Sequence, residues 1–176
     1  MRSVILVAIL ALTLGSCKNL VPYSDALKTK YNLSDDQLKH VQFYVSDPIV
    51  LQRKITSANS TEVTAGKIKV INGEQVEEVI VPPGTKGVLV KNNEGKLEIS
   101  FEKGDDYFLR FGSNPGRNNA FVLLASDWKG KVGVVTYAGN KYTTSPESAD
   151  ALLLIDIHKI QKYQKDERVA KGRKAQ

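Results

Sequence analysis

The chain has 176 residues and a formal net charge of +6, with 41% hydrophobic and 25% charged positions, enough to bury the core of one domain. Cys17 is its only cysteine, so no intrachain disulfide can staple the fold and apolar packing must hold it unaided. Seven Lys or Arg and two acidic residues fall between Lys159 and Gln176, while the stretch from Cys17 to His158 is close to neutral; that uneven placement argues against a nucleic-acid binder, which carries its basic charge on the folded domain.

In chain order, Arg2 is followed by the apolar run Val4 to Leu12. The run suits the hydrophobic region of a signal peptide and falls far short of the roughly twenty residues that cross a bilayer. Leu14-Gly15-Ser16-Cys17 comes next. These residues resemble the lipobox of bacterial lipoproteins, in which a branched apolar residue and two small residues precede the cysteine. The resemblance covers the leader alone. It implies removal of residues 1–16, a diacylglycerol thioether on the Cys17 sulfur and an acyl chain on its nitrogen. Two chains give stable anchoring. By the same resemblance, Lys18 in place of an aspartate implies the outer membrane, and the lack of acidic residues after Cys17 implies a periplasm-facing domain.

Residues 17–33 show no clear period and are expected to form a lipidated tether. Ser34-Asp35-Asp36-Gln37 then signals a helix start: Ser34 can cap, Gln37 can close a capping box, and Leu33 and Leu38 can form a staple. The helix must be short, because Val41, Phe43 and Val45 already alternate like a strand. Between there and Ile157 the spacing predicts eight to ten short strands. They fall at Ile49 to Leu51, Lys67 to Ile71, Val76 to Val81, Gly87 to Val90, Leu97 to Phe101, Tyr107 to Phe111, Phe121 to Ala125, Lys131 to Tyr137, around Tyr142, and Leu152 to Ile157. Asn72-Gly73 is the strongest hairpin signal among the turns. Strands at this spacing, with almost no helix, predict a mainly β domain over 34–158, an antiparallel barrel or sandwich. Residues 159–176 form a basic tail, helical or disordered.

Val81-Pro-Pro-Gly-Thr-Lys-Gly87-Val-Leu-Val90 followed by Gly95-Lys-Leu-Glu-Ile-Ser-Phe101 is similar to hairpins of SH3-like small barrels. The likeness covers about twenty residues and tilts the expectation toward a small barrel.

Nothing in the sequence assembles a catalytic set. Cys17 is taken by the anchor, and the two histidines fall at element ends: His40 closes the short helix and His158 ends the last strand. No Gly-x-Ser-x-Gly elbow or His-Glu-x-x-His helix occurs. Glu102, Asp105 and Asp106 around Gly104 read as a solvated turn, short of the six to eight oxygens calcium takes. Gly84 and Gly87 lack the Gly-Lys-Ser/Thr of a phosphate loop. No catalytic residue, metal or cofactor is therefore expected. Tyr137 and Tyr142 are expected to pair across a turn. Trp128, the only tryptophan, is either a binding anchor or the cap of a barrel end. Lys162, Lys165, Arg168, Lys171, Arg173 and Lys174 are candidate contacts for anionic lipid or for an acidic partner surface.

The expectation is a non-enzymatic lipoprotein that serves as an accessory or scaffolding part of an envelope assembly, with a membrane and an envelope protein as its partners. The alternative is a module binding a lipid, glycan or peptidoglycan fragment. A hydrolase depending on His40 or His158 is a distant third.

Overall fold

The structure, a computed structural model, describes residues 19–56, 66–104 and 106–167. Thirteen strands and three short α-helices run through them: β1 (Leu20–Pro22), α1 (Asp25–Lys30), α2 (Asp35–Lys39), β2 (Phe43–Val45), β3 (Ile49–Lys54), β4 (Lys67–Ile71), β5 (Glu74–Val81), β6 (Lys86–Asn93), β7 (Lys96–Ser100), β8 (Phe108–Asn114), β9 (Ala120–Leu123), β10 (Asp127–Lys129), β11 (Val132–Tyr137), β12 (Asn140–Thr144), β13 (Leu153–Asp156) and α3 (Ile157–Glu167).

The strands form two antiparallel sheets. One has seven strands in the order β1-β13-β2-β6-β7-β8-β9, the other six in the order β10-β11-β12-β3-β5-β4. A single apolar core takes side chains from both, including Phe43, Ile99, Phe111 and Ile155 from the first and Leu51, Val79, Val135 and Tyr142 from the second. The fold is mainly β and consistent with a sandwich; the expected small barrel does not close. Isolated bridges do join Ser24 to Ala120 and Val122 to Leu152, and the Phe121 amide donates to the Tyr23 carbonyl at 2.9 Å. These links draw the rims of the seven-stranded sheet toward each other.

Local chemistry explains the elements. Ser34 Oγ accepts from the Gln37 amide at 3.1 Å and the Ser34 amide donates to Gln37 Oε1 at 3.0 Å, completing the capping box, with Leu33 and Leu38 buried beneath it. Three hairpins turn on two residues with positive φ: Asn72-Gly73, Glu94-Gly95 and Ala138-Gly139. This pattern matches the right-handed twist of the flanking strands.

The N-terminal segment departs from the expected tether. β1 pairs with β13, Leu20 opposite Asp156 and Pro22 opposite Leu154. Ser24 caps α1 by accepting from the Leu27 amide. The buried Tyr23 ring packs edge-on against Phe43 and Phe121, at 5.7 and 4.8 Å between centroids. One short edge strand, one helical turn and one aromatic carry too little length to show a period, which is why the segment reads as structureless. The domain thus reaches back to Asn19. It also extends past His158, because α3 packs through buried Ile160 and through Tyr163, stacked on His40 at 5.9 Å.

Candidate interaction surfaces

The six-stranded sheet ends in β4 on one side and β10 on the other, and among the described residues no strand pairs on either outer edge. On β4, Ile68 is 54% and Val70 72% exposed, alternating with Lys67 and Lys69. Ile68 lies opposite Glu77 on β5, so its side faces the direction of the core but lies beyond what the other sheet covers. Lys69 pairs with Glu78, which also accepts from Gln52 Nε2 at 3.0 Å; the Lys69 hydrogen bond, then that of Gln52, holds the Glu78 carboxyl below the usual range. Alternating lysines on an edge strand discourage indiscriminate pairing, while the exposed Ile68 and Val70 leave the edge apolar.

On β10, Trp128 is half-buried and sits opposite Gly133 of β11. A Cβ at Gly133 would stand 2.8 Å from Trp128 Cζ3 and 2.8 Å from the Ala125 Cβ, so the glycine is what lets the indole lie flat on its neighbour strand. Trp128 therefore packs on a sheet edge, neither capping a barrel nor standing free in a turn. Gly133→Ala is expected to lift the ring into solvent at a cost of about 1–3 kcal/mol, read as a red shift of the single tryptophan's emission and a lower unfolding midpoint.

The densest buried polar cluster lies where β3, β5 and β12 meet. Arg53 follows Ile49 and Leu51 on the inward row of β3 and pairs with Glu77 on β5. The Glu77 side chain is fully buried; its Oε2 accepts from Arg53 Nη2 at 2.6 Å and Nε at 3.0 Å, and its Oε1 accepts from the Gly66 amide at 3.0 Å. Arg53 Nη1 donates to Asn140 Oδ1 at 2.8 Å, and the guanidinium lies 5.5 Å from the Tyr142 ring centre. Tyr142 in turn packs edge-on with Tyr137, the expected cross-turn pair, at 6.4 Å. Neither phenol oxygen has a partner in ordinary hydrogen-bond geometry.

Burial, then the charge of Glu77, pushes the Tyr142 hydroxyl up to about 12. Burial, then Glu102, raises Tyr137, and burial, then Asp25, raises Tyr23. A phenol whose folded pKa exceeds its unfolded value near 10 supports folding in full below pH 10. That support is lost as the unfolded chain sheds its proton, for Tyr142 between pH 10 and about 12. An alkaline titration is expected to show three tyrosines ionising late and together with loss of structure, read from tyrosinate absorbance and circular dichroism in parallel.

Hollows open to solvent lie at several places among the described residues. A cleft of about 240 Å³ between α2 and α3 is lined by Leu33, Gln37, His40, Lys159, Ile160 and Tyr163 among others. A groove of about 480 Å³ runs past Asn93, Lys96, Glu98, Arg110 and Thr136, where buried Glu98 accepts from Arg110 Nε at 3.0 Å. A third, of about 430 Å³, lies beside Lys67, Lys69, Glu78 and Glu102. His40 and His158 are both exposed. Asp106 serves the fold through its carbonyl, which accepts from the Ala138 amide at 2.9 Å, while Asp105 lies outside the described residues. Among the described residues no three His, Cys, Asp or Glu side chains gather as a metal site would require, and no helix is long and apolar enough to cross a membrane.

Of the residues singled out from sequence, Lys162 and Lys165 stand exposed on α3. Cys17, Arg168, Lys171, Arg173 and Lys174 lie outside the described residues. The structure adds Arg53, Glu77, Ile68 and Val70, which sequence reasoning passed over. The signal for the first two was present in the inward rows Ile49-Leu51-Arg53 and Glu77-Val79-Val81, but Val76-Glu77-Glu78-Val79-Ile80-Val81 can be read with either frame facing inward.

With the fold placed among two-sheet antiparallel β proteins, likeness to known proteins adds nothing further: no family model, curated protein or solved structure matches the chain.

Proposed function

We propose that this protein is a bacterial lipoprotein, held by lipid on Cys17 to the periplasmic side of the outer membrane, that works without catalysis as an accessory part of an envelope assembly. The lipobox-like Leu14-Gly15-Ser16-Cys17 supports the anchor. The observation that carries the partner-binding role is the contrast between the two sheets. The seven-stranded sheet has its rims bridged toward each other, whereas among the described residues the six-stranded sheet has no strand on either outer edge, β4 with Ile68 and Val70 exposed. An open apolar edge suits recognition by strand addition, in which backbone bonds supply affinity and alternate side chains supply selectivity. Trp128 on the opposite edge offers an aromatic contact. The small-ligand alternative has less behind it: the cleft between α2 and α3 is smaller than the roughly 300–1,000 Å³ usual for ligand pockets, and the two larger grooves are open to solvent and carry lysine, arginine and glutamate side chains.

Two experiments test this. Cys17→Ser is expected to abolish labelling by radioactive palmitate and, in membranes washed with high salt, to move the protein from the pellet to the soluble fraction. A photo-crosslinking side chain at Val70 is expected to capture one envelope protein in cells, and the same group at exposed Lys141 is not. A native protein that is unacylated and freely soluble, or crosslinks that ignore position, would overturn the reading.

A further inference from the structure

We infer that α3 is a membrane-docking element that binds the head groups of anionic phospholipid next to the protein's own anchor. The inference rests on the lipoprotein reading and deepens it with a second, electrostatic contact. The amide of Ile157, the first residue of α3, donates to the Asn19 carbonyl at 3.2 Å, and Leu20 sits in register with Asp156 just before the helix. Cys17 is two residues ahead of Asn19. A chain spans at most about 3.6 Å per residue, so the Cys17 Cα lies within about 7 Å of that of Asn19. A lipid carried on Cys17 is therefore covalently attached only two residues from the Asn19 carbonyl that meets the first turn of the basic helix.

The helix is built to present charge there. Ile160 is buried and Tyr163 stacks on His40, which turns His158, Gln161, Lys162 and Lys165 outward. Of the lysines on the other two helices, Lys28 pairs with Asp35 and Lys39 with Asp36, each at 2.8 Å, and Lys30 lies over the Tyr31 ring. Lys162 and Lys165 make no ion pair among the described residues. At 1.5 Å per residue they lie about 8 and 12 Å along the axis from Ile157, comparable to the Debye length of about 8–10 Å at ordinary ionic strength. Asp166 and Glu167 oppose them, but the chain goes on to Arg168, Lys171, Arg173 and Lys174, leaving a net charge of +5 from Lys159 onward. An acidic protein would have to reach this end where the bilayer already lies, so lipid is the favoured occupant.

The test compares acylated protein in vesicles of phosphatidylcholine alone with vesicles containing phosphatidylglycerol, followed by amide hydrogen exchange. Exchange over residues 158–165 is expected to slow only with phosphatidylglycerol, and the effect to vanish in high salt. In parallel, the unacylated Cys17→Ser protein is expected to float with phosphatidylglycerol vesicles, and Lys162→Gln with Lys165→Gln to weaken that binding by about fivefold per lysine. Equal exchange on both vesicle types, flotation indifferent to the two lysines, or protection that needs an added envelope protein would each overturn the docking surface. The mass of the N-terminal peptide from native protein decides the anchor separately, because flotation of the serine variant does not depend on acylation.

Discussion

Arg53→Met is expected to cost about 3–5 kcal/mol of stability, the penalty for leaving a fully buried carboxylate without its partner. Glu77 would keep only the Gly66 amide among the bonds described above, and Asn140 would lose the donor to its Oδ1. Against a typical total of about 5–15 kcal/mol, the single variant should unfold at a much lower urea concentration, followed by Trp128 fluorescence. The double variant Arg53→Met with Glu77→Leu separates pairing from packing. Replacing both members of a buried pair by apolar groups is often neutral or stabilising, so the double variant should recover most of the loss. If Arg53→Met proves as stable as the parent, the pair is not buried as described.

Tyr23→Ala should cost a similar amount, about 3–5 kcal/mol for an aromatic ring removed from a packed core. The ring holds Phe43 and Phe121 together, and its backbone ties β13 to β9: the Tyr23 amide donates to the Leu153 carbonyl at 2.8 Å, and its carbonyl accepts from Phe121. This result discriminates sharply, because a residue in a free tether would tolerate the change within about 0.5 kcal/mol. Thermal unfolding of the two proteins side by side is sufficient to decide it.

Most of the β character was legible from residue order, because strands with one wet and one buried face alternate with period two and turns need residues that accept positive φ. Leu109-Arg110-Phe111 shows this plainly, with Leu109 and Phe111 buried and Arg110 exposed; on the neighbouring strand Leu97 and Ile99 are buried as well, and Glu98 between them is covered where it pairs with Arg110. The capping box at Ser34 was equally readable, since it depends on residues three apart. What escaped were features fixed by distant partners. β1 and β10 are three residues each, too short for a period. The division into two sheets depends on β12 meeting β3, with Thr143 opposite Gln52, a pairing no local pattern encodes. The candidate surfaces divide in the same way. The charge of α3 is visible as a string of lysines, but its position beside Asn19 follows only from β1 lying against β13. The exposure of Ile68 and Val70 was invisible, because an apolar residue in a strand reads as core until the opposite sheet is known to stop short.

The pairing of β1 with β13 also has a bearing on when the molecule can form. Among the described residues, the first strand has no neighbour until the last has been delivered, and α3 starts on the residue after that strand. Long-range closures of this kind come late and slow assembly. A chain emerging N-terminus first, from a ribosome or through a translocation pore, would hold Leu20 to Pro22 unpaired until Leu154 to Asp156 follow, so the fold itself delays the closing of that sheet.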